Sequence, residues 1–76
     1  MIDSLTNQAW TLIDNGRAVD ALRLTTAPAL SPKAPTGLLM AHAAALKAVA
    51  RADEALTFNR RAVAVAPGDR FAWYNL

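Results

Sequence analysis

Ala50-Arg51-Ala52-Asp53-Glu54-Ala55-Leu56 is the stretch of this sequence that decides its fold. Thirty-four residues earlier the chain carries a closely similar stretch, Gly16-Arg17-Ala18-Val19-Asp20-Ala21-Leu22. The same offset matches three more pairs of apolar residues: Leu5 with Leu39, Ala9 with Ala43, and Leu12 with Leu46. A self-match at this period is typical of a repeated helix–turn–helix unit, so the sequence predicts two such units in tandem.

The composition restricts the chain to one small helical domain, residues 1–76. A chain of 76 residues buries only about 60% of its unfolded surface. Hydrophobic residues make up 54% and charged residues 18% of the sequence, and the apolar excess is mainly alanine, the best intrinsic helix former. No useful length of the chain alternates with a period of two. We therefore predict an all-α fold.

The charge, the absence of cysteine and the hydropathy of the chain limit the kinds of ligand and the compartment that can be expected. The net charge of +2 is a small difference between eight basic and six acidic residues, which gives little support for nucleic acid binding. The chain has no cysteine, so a disulfide framework and a thiolate metal site are excluded. The apolar run 37–50 is too short to cross a bilayer, and the N-terminus lacks a signal-peptide pattern. These features favour a cytoplasmic chain that does not contact a membrane.

Apolar spacing and capping residues predict five helices. We expect them near residues 4–14, 18–27, 36–48 and 53–66, with a fifth starting at about residue 70. Asp3 or Ser4 is predicted to cap the first helix. Pro28 should end the second, because proline lacks the N–H that an interior helical position needs. Residues 28–35, which hold three prolines, are expected to form an interrupted connection.

The repeats resemble the tetratricopeptide repeat family, whose pattern is W-x2-L-G-x2-Y, then A-x3-F, then P. The matching residues of the second unit are Leu39, His42, Ala43, Leu46, Ala55, Asn59 and Pro67. Those of the first are Leu5, Gln8, Ala9, Leu12, Ala21 and Thr25, with Pro32 one residue short of the expected proline. The tail Trp73-x2-Leu76 restores the start of the pattern. The resemblance divides the chain into repeats at about 2–35 and 36–69 and a partial repeat at 70–76.

The resemblance implies the arrangement of these helices. They would pair antiparallel and stack into a short right-handed superhelix, an α-solenoid in which each unit buries its face against its neighbours. Small residues would lie where helices come closest: Ala9, Ala21, Ala43, Ala55 and Ala62. The sequence departs from the family at four positions. Gln8 and His42 stand where leucine is usual, and Thr25 and Asn59 replace the usual aromatic residue, which weakens the core.

The resemblance also implies a concave groove lined by the first helix of each unit. The corresponding residues are Asn7, Trp10 and Asp14 in the first unit, Met40, Ala44 and Lys47 in the second, and Phe71, Tyr74 and Asn75 in the third. Several of these are more apolar than a solvated face requires, which favours a binding surface. The competing interpretation is that some of the apolar residues, Trp10, Met40, Phe71 and Tyr74, are covered by the chain's own neighbours; Trp10 would then pack under Leu24 or under residues 28–35.

No residue constellation predicts catalysis or a bound metal or cofactor. His42 is the only histidine, and no carboxylate stands three or four residues away to orient it, so we interpret it as a core residue. Asp53 and Glu54 are adjacent and cannot face each other on a helix. Arg60-Arg61 with Arg70 fits a solvated face better than a basic patch. We therefore predict that the chain is not an enzyme by itself.

Three function classes remain open. The first is an interaction scaffold whose groove takes an extended or helical segment of a protein. The second is a non-catalytic module of a longer enzyme, such as a bacterial transferase or hydroxylase, which the stop at Leu76 in mid-helix favours. The third is a nucleic-acid adaptor, which the charge barely supports. Chaperone-binding family members carry a lysine–asparagine clamp, but only Asn7, Lys47 and Asn75 stand in for part of it here.

The C-terminal end predicts self-association. We expect Trp73 and Leu76 to lie against the fourth helix, which leaves Phe71 and Tyr74 in an apolar patch. A second copy meeting the same patch by two-fold symmetry would cover it and give a homodimer through the C-terminal helix. The alternative is a fraying tail on a monomer.

Overall fold

Five helices and no strand form the part of the chain that the computed structural model describes, residues 4–74. The helices are α1 Ser4–Asp14, α2 Ala18–Leu30, α3 Thr36–Ala48, α4 Ala52–Val65 and α5 Arg70–Tyr74. The predicted all-α class is confirmed, and all five helices begin at the expected position or within one residue of it. The predictions for Asp3, Asn75 and Leu76 concern positions outside the described residues.

The turn between α1 and α2 closes with a paired set of backbone hydrogen bonds. The N–H of Arg17 donates to the carbonyl of Leu12 at 2.7 Å, and the N–H of Gly16 donates to the carbonyl of Ile13 at 3.0 Å. These two bonds define a Schellman motif, which satisfies carbonyls that a helix end leaves open. Gly16 adopts the left-handed conformation that the motif needs, with φ of 75°.

The turn between α3 and α4 has the same geometry thirty-four residues later. The N–H of Arg51 donates to the carbonyl of Leu46 at 2.8 Å, and the N–H of Ala50 donates to the carbonyl of Lys47 at 3.0 Å. The φ and ψ angles are −111° and 57° at Arg51 and −110° and 52° at Arg17. The sequence period is therefore repeated in the backbone, although Ala50 takes its left-handed φ of 64° without being glycine.

An ion pair follows each of these turns. Arg17 Nε lies 2.9 Å from Asp20 Oδ2 in the first turn of α2, while Arg51 binds Glu54 through two bonds of 2.9 and 2.5 Å in α4. The bond from Arg51 holds the pKa of Glu54 below its usual value and raises the pKa of the arginine. Both pairs are exposed to solvent, so they fix local geometry more than they add stability.

The second helix is longer than predicted, because it passes through Pro28 and ends at Leu30. Proline so near the end of a helix removes one hydrogen bond and disturbs little that follows. Two contacts offset this loss. Ala29 is fully buried, and the guanidinium of Arg61 donates to the carbonyls of Ala29 at 2.6 Å and Ser31 at 2.8 Å. A cation from α4 thus satisfies the C-terminal carbonyls of α2 and complements its dipole.

The connection after α2 is accordingly shorter than expected and covers residues 31–35. It contains a turn in which the N–H of Ala34 donates to the carbonyl of Ser31 at 3.1 Å. Ala34 is buried in the core. This turn leads directly into α3.

The third helix is the centre of the fold, since it packs against α1, α2 and α4. It is buried on most of its circumference, which is expected of a helix enclosed by others. Its buried residues are Leu38, Leu39, Ala41, His42, Ala43, Ala45 and Leu46. The helix thus packs between the second and the fourth.

The small residues predicted at the helix contacts are all buried. Ala9, Ala21 and Ala62 have no exposed surface, and Ala43 and Ala55 have 1% each. Alanine at these positions lets the backbones approach closely, and protein interiors leave little room for extra atoms. None of the helices within residues 4–74 is long and apolar enough to cross a membrane.

Replacing Ala55 by leucine should destabilise the fold by about 1–3 kcal/mol, because the added atoms overpack the α3–α4 contact. Ala64 on the same helix is exposed, so Ala64→Leu serves as the control and should change stability little. Thermal and urea unfolding of both variants measure the effect. Equal stabilities would contradict the packing role given to Ala55.

At the positive-φ position of the two Schellman turns, exchanging glycine and alanine should change the stability of the fold in opposite directions. Gly16→Ala should cost about 1 kcal/mol, because a Cβ in the left-handed region is strained; nothing lies within 4 Å of that Cβ to add a clash. Ala50→Gly should stabilise the chain by several tenths of a kcal/mol, since relief of strain exceeds the added freedom of the unfolded chain. Urea unfolding measures both, and a stabilising Gly16→Ala would refute this account.

Candidate interaction surface

Most residues predicted for the groove are accessible, but they do not form one enclosed site. Asn7, Trp10 and Asp14 are exposed on α1, and Lys47 is exposed on α3. These two helices pack against each other, so the four side chains belong to neighbouring elements. The remaining predicted residue of the third unit, Asn75, lies outside the described part of the chain.

Trp10 keeps 36% of its surface exposed. A tryptophan with this much free surface on an α-helix offers a large apolar face together with an N–H donor, a combination common at protein interfaces. The competing interpretation, in which Leu24 or residues 28–35 cover the ring, does not account for this exposed surface.

Met40 and Ala44 are half-buried on α3. Met40 packs against the core cluster formed by Leu38, Leu39 and their neighbours. For Met40 the competing interpretation, core contact, therefore holds in part. Among the residues of α3 predicted for the groove, only Lys47 is fully exposed.

Two aromatic residues of α5, Phe71 and Tyr74, are the most exposed large hydrophobic side chains of the described chain. Phe71 is 72% exposed and Tyr74 is 87% exposed, and together with Arg70 they line a shallow depression of about 370 Å³. Their helix is held in place from its other side. Ala72 is fully buried in the cluster that contains Leu38.

The expectation that Trp73 packs against the fourth helix is not met in full, because the ring remains 54% exposed. Its indole N–H donates to the carbonyl of Pro67 at 2.6 Å. This bond holds the ring beside the turn before α5, and the small Ala72 takes the buried position instead. Asp69 caps the start of the helix by accepting a bond from the N–H of Phe71 at 2.9 Å.

A second shallow depression, of about 550 Å³, lies on the outer face of α1. Its lining residues are Ser4, Asn7, Gln8, Thr11 and Leu12. Two of the polar groups are paired within the helix: the Gln8 amide donates to Ser4 Oγ at 3.3 Å, and Thr11 Oγ1 donates to the carbonyl of Asn7 at 3.0 Å. The depression is open to solvent, and although most of its lining residues are polar, the surface that they expose to it is mainly apolar.

The junction of α2, α3 and α4 contains a buried polar contact that the sequence did not predict. His42 is 3% exposed, which agrees with its interpretation as a core residue. Its Nδ1 lies 2.7 Å from Thr25 Oγ1, and that hydroxyl donates to the carbonyl of Ala21 at 3.0 Å. The donor in the His42–Thr25 bond depends on the imidazole tautomer, because a hydroxyl that donates to the Ala21 carbonyl can only accept from an Nδ1–H of His42.

Phe58 extends this contact toward α4 and Arg61. Its ring meets His42 edge-on, with centroids 4.4 Å apart and an interplanar angle of 79°. The guanidinium of Arg61 lies 5.6 Å from the centroid of the same ring. Arg61 therefore has a packed, bonded position, and the prediction that it belongs to a solvated face is wrong for this residue.

Burial lowers the pKa of His42, and the positive charge of Arg51 lowers it further, while Glu54 opposes both. The neutral imidazole is thus the form that the fold favours. Within residues 4–74 no three His, Cys, Asp or Glu side chains are grouped so that they could hold a metal ion.

Comparison of the chain with protein-family models, with characterised proteins and with solved structures gives no significant match in any of the three.

The depressed pKa of His42 predicts that the fold loses stability in mild acid. The unfolded chain begins to bind a proton as the pH falls below about 6.5, whereas the folded chain does so only at lower pH. The free energy of unfolding should therefore be constant above this value and decrease below it, by at most about 1.4 kcal/mol per pH unit.

His42→Gln is the matched control, because an amide can still donate to Thr25 but does not titrate. Urea unfolding of both proteins between about pH 7.5 and 5.5 measures the slope. His42 is the only histidine, so the variant should be flat where the parent declines. An equal slope in both would remove His42 as its cause.

Proposed function

We propose that the chain is a protein-interaction module, built as a short right-handed array of tetratricopeptide-like units, that binds rather than catalyses. The observation that carries this proposal is that the turn between α1 and α2 recurs between α3 and α4, at the family's period of 34 residues. Arg17 and Arg51 match in backbone angles to within 5°. The buried alanines of the two units match as well, Ala9 with Ala43 and Ala21 with Ala55.

The proposed binding surface is the exposed side of α1 and α3. A tetratricopeptide-like array places the first helix of each unit on its concave side, and α1 and α3 contact each other, as α2 and α3 also do. Trp10 supplies an aromatic anchor, the residue type most often found at the energetic centre of interfaces. Asp14 and Lys47 supply charges of opposite sign near the ends of their helices.

The chemistry of this surface differs between the two units, although their backbones agree. Position 10 is tryptophan where the second unit has Ala44, and Asp14 corresponds to Ala48. A surface of this kind presents different groups along its length and favours an asymmetric ligand. We therefore propose an extended or helical protein segment with one apolar anchor for Trp10 and an acidic group for Lys47.

Selection of peptides from a random display library on the 76-residue chain, followed by NMR mapping, tests the proposal. Trp10→Ala should weaken the selected peptides at least about fivefold, as expected for the loss of more than 1 kcal/mol at an aromatic anchor. Lys47→Ala should weaken those peptides that carry an acidic group. The shifted resonances should lie on α1 and α3.

Val19→Ala and Arg60→Ala are the matched controls, because both residues are exposed on the second helices of their units. They should leave peptide affinity unchanged. Peptides that bind but shift only α2 and α4, or whose affinity is insensitive to Trp10→Ala, would refute the groove assignment.

A further inference from the structure

Asparagine is followed directly by glycine once in this sequence, at Asn15-Gly16. Both residues are exposed, and they form the turn between α1 and α2. The side-chain carbonyl of an asparagine can be attacked by the backbone nitrogen of the next residue. Glycine hinders this attack least, because it has no side chain. Asn15 therefore meets the chemical requirement for spontaneous deamidation, a covalent modification that needs only water.

The reaction passes through a cyclic imide. The nitrogen of Gly16 loses its proton to hydroxide and attacks Cγ of Asn15, so that an N–Cγ bond forms. The Cγ–Nδ2 bond then breaks, and the side-chain nitrogen leaves as ammonia. Water opens the resulting succinimide at either of its carbonyl carbons. Opening at Cγ gives aspartate and opening at the backbone carbonyl gives isoaspartate, and neither route involves an oxidation or a reduction.

The closed turn opposes the first step of this reaction. The N–H of Gly16 donates to the carbonyl of Ile13 at 3.0 Å, as part of the Schellman motif. The N–H of Asn15 donates to the carbonyl of Thr11 at 3.1 Å, which continues the hydrogen-bond pattern of α1. To close the imide ring, the Gly16 nitrogen must leave Ile13, and Asn15 must rotate about its Cα–C bond. Both changes break the turn.

We propose that Asn15 is a deamidation site whose reaction is controlled by the opening of the α1–α2 turn. While the Schellman motif is closed, the backbone nitrogen of Gly16 acts as a hydrogen-bond donor and does not attack. Local opening of the turn is enough to release it, since exposed turns open at a lower free energy than the core does. The hydrogen bonds of one exposed turn thus set the rate of a covalent change.

Either product weakens the turn in which it forms. Isoaspartate carries the main chain through Cγ and adds one methylene, which displaces the Gly16 N–H from the carbonyl of Ile13. Both products place a new carboxylate next to Asp14, at the C-terminal end of α1, where the helix dipole disfavours negative charge. The modified chain should therefore melt at a lower temperature than the parent, and refolding does not restore it.

The chain contains its own controls for this chemistry. The turn between α3 and α4 has the same geometry, but the pair equivalent to Asn15-Gly16 is Val49-Ala50, and valine has no side-chain carbonyl. Asn7 is also exposed on α1, but it precedes Gln8, whose side chain hinders the attack. The modification is therefore confined to the first unit, and Asn7 serves as an internal reference for Asn15.

Incubation of the 76-residue chain in mildly alkaline buffer, followed by peptide mapping with mass spectrometry, tests the proposal. Asn15 should react at least about tenfold more slowly in the folded chain than in guanidinium chloride, the effect of an opening free energy of about 1.4 kcal/mol. Asn7 should react far more slowly than Asn15 in the unfolded chain. Unfolded Gly16→Ala should also react far more slowly at Asn15, which would identify the nitrogen of residue 16 as the nucleophile.

A pair of variants at Arg17 tests the role of the turn. Arg17→Pro removes the N–H that donates to Leu12. Arg17→Ala is the matched control, because it keeps this N–H but, like the proline variant, loses the ion pair with Asp20. Folded Arg17→Pro should deamidate about fivefold faster than folded Arg17→Ala, as expected for the loss of one hydrogen bond. The two should react equally when unfolded, and circular dichroism checks their helical content.

Hydrogen exchange of the Gly16 N–H provides a measurement that needs no variant. Exchange and ring closure both require this nitrogen to leave Ile13, so folding should slow deamidation at least as much as it slows exchange. A smaller slowing of deamidation would mean that the reaction proceeds in the closed turn. That result, equal deamidation of the folded and unfolded chains, equal reaction of Asn7 and Asn15 when unfolded, or equal rates for the two folded Arg17 variants would each overturn the proposal.

Discussion

The close packing of α3 against three other helices is the constraint on which the rest of the structure depends. In a domain of 76 residues one enclosed helix supplies most of the core, and it can be enclosed only if its neighbours approach closely. Alanine at the contacts allows this approach, which is why Ala43 on α3 and Ala55 on α4 have almost no exposed surface. The two Schellman turns then fix the angle at which each helix returns to its partner.

The junction of α2, α3 and α4 shows how the fold accommodates polar residues at core positions. Thr25 and His42 stand where the resembled family has larger apolar groups, yet they lie opposite each other and share a hydrogen bond. Each therefore satisfies the other, so burial costs little. Phe58 fills the remaining space against the imidazole, and Arg61 covers that ring while it caps α2. Packing and helix capping are thus joined through one group of side chains.

Features that depend on residues close together in the chain could be predicted from the sequence. Features that depend on contacts between residues far apart in the chain could not. The helix positions and the burial of the alanines follow from residues close together in the chain, and these predictions are confirmed. The extension of α2 through Pro28 was missed because it requires Arg61, which is more than thirty residues away. The accessible surface of Trp10 could be proposed from its helical position, but the half-burial of Met40 depends on the cluster that surrounds it.

Comparison of equivalent positions in the two units also separates the residues that the shared packing explains from those that it does not explain. Where two units share a backbone position and a residue, as at Ala9 and Ala43, the shared packing explains the residue. Where they share the position but differ in residue, the shared backbone does not explain the difference. Asn7 and Ala41 differ because one faces solvent and the other is buried. Trp10 differs from Ala44 although both are partly accessible. The exposed part of the Trp10 side chain is the observation on which the proposed contact of α1 with a partner rests.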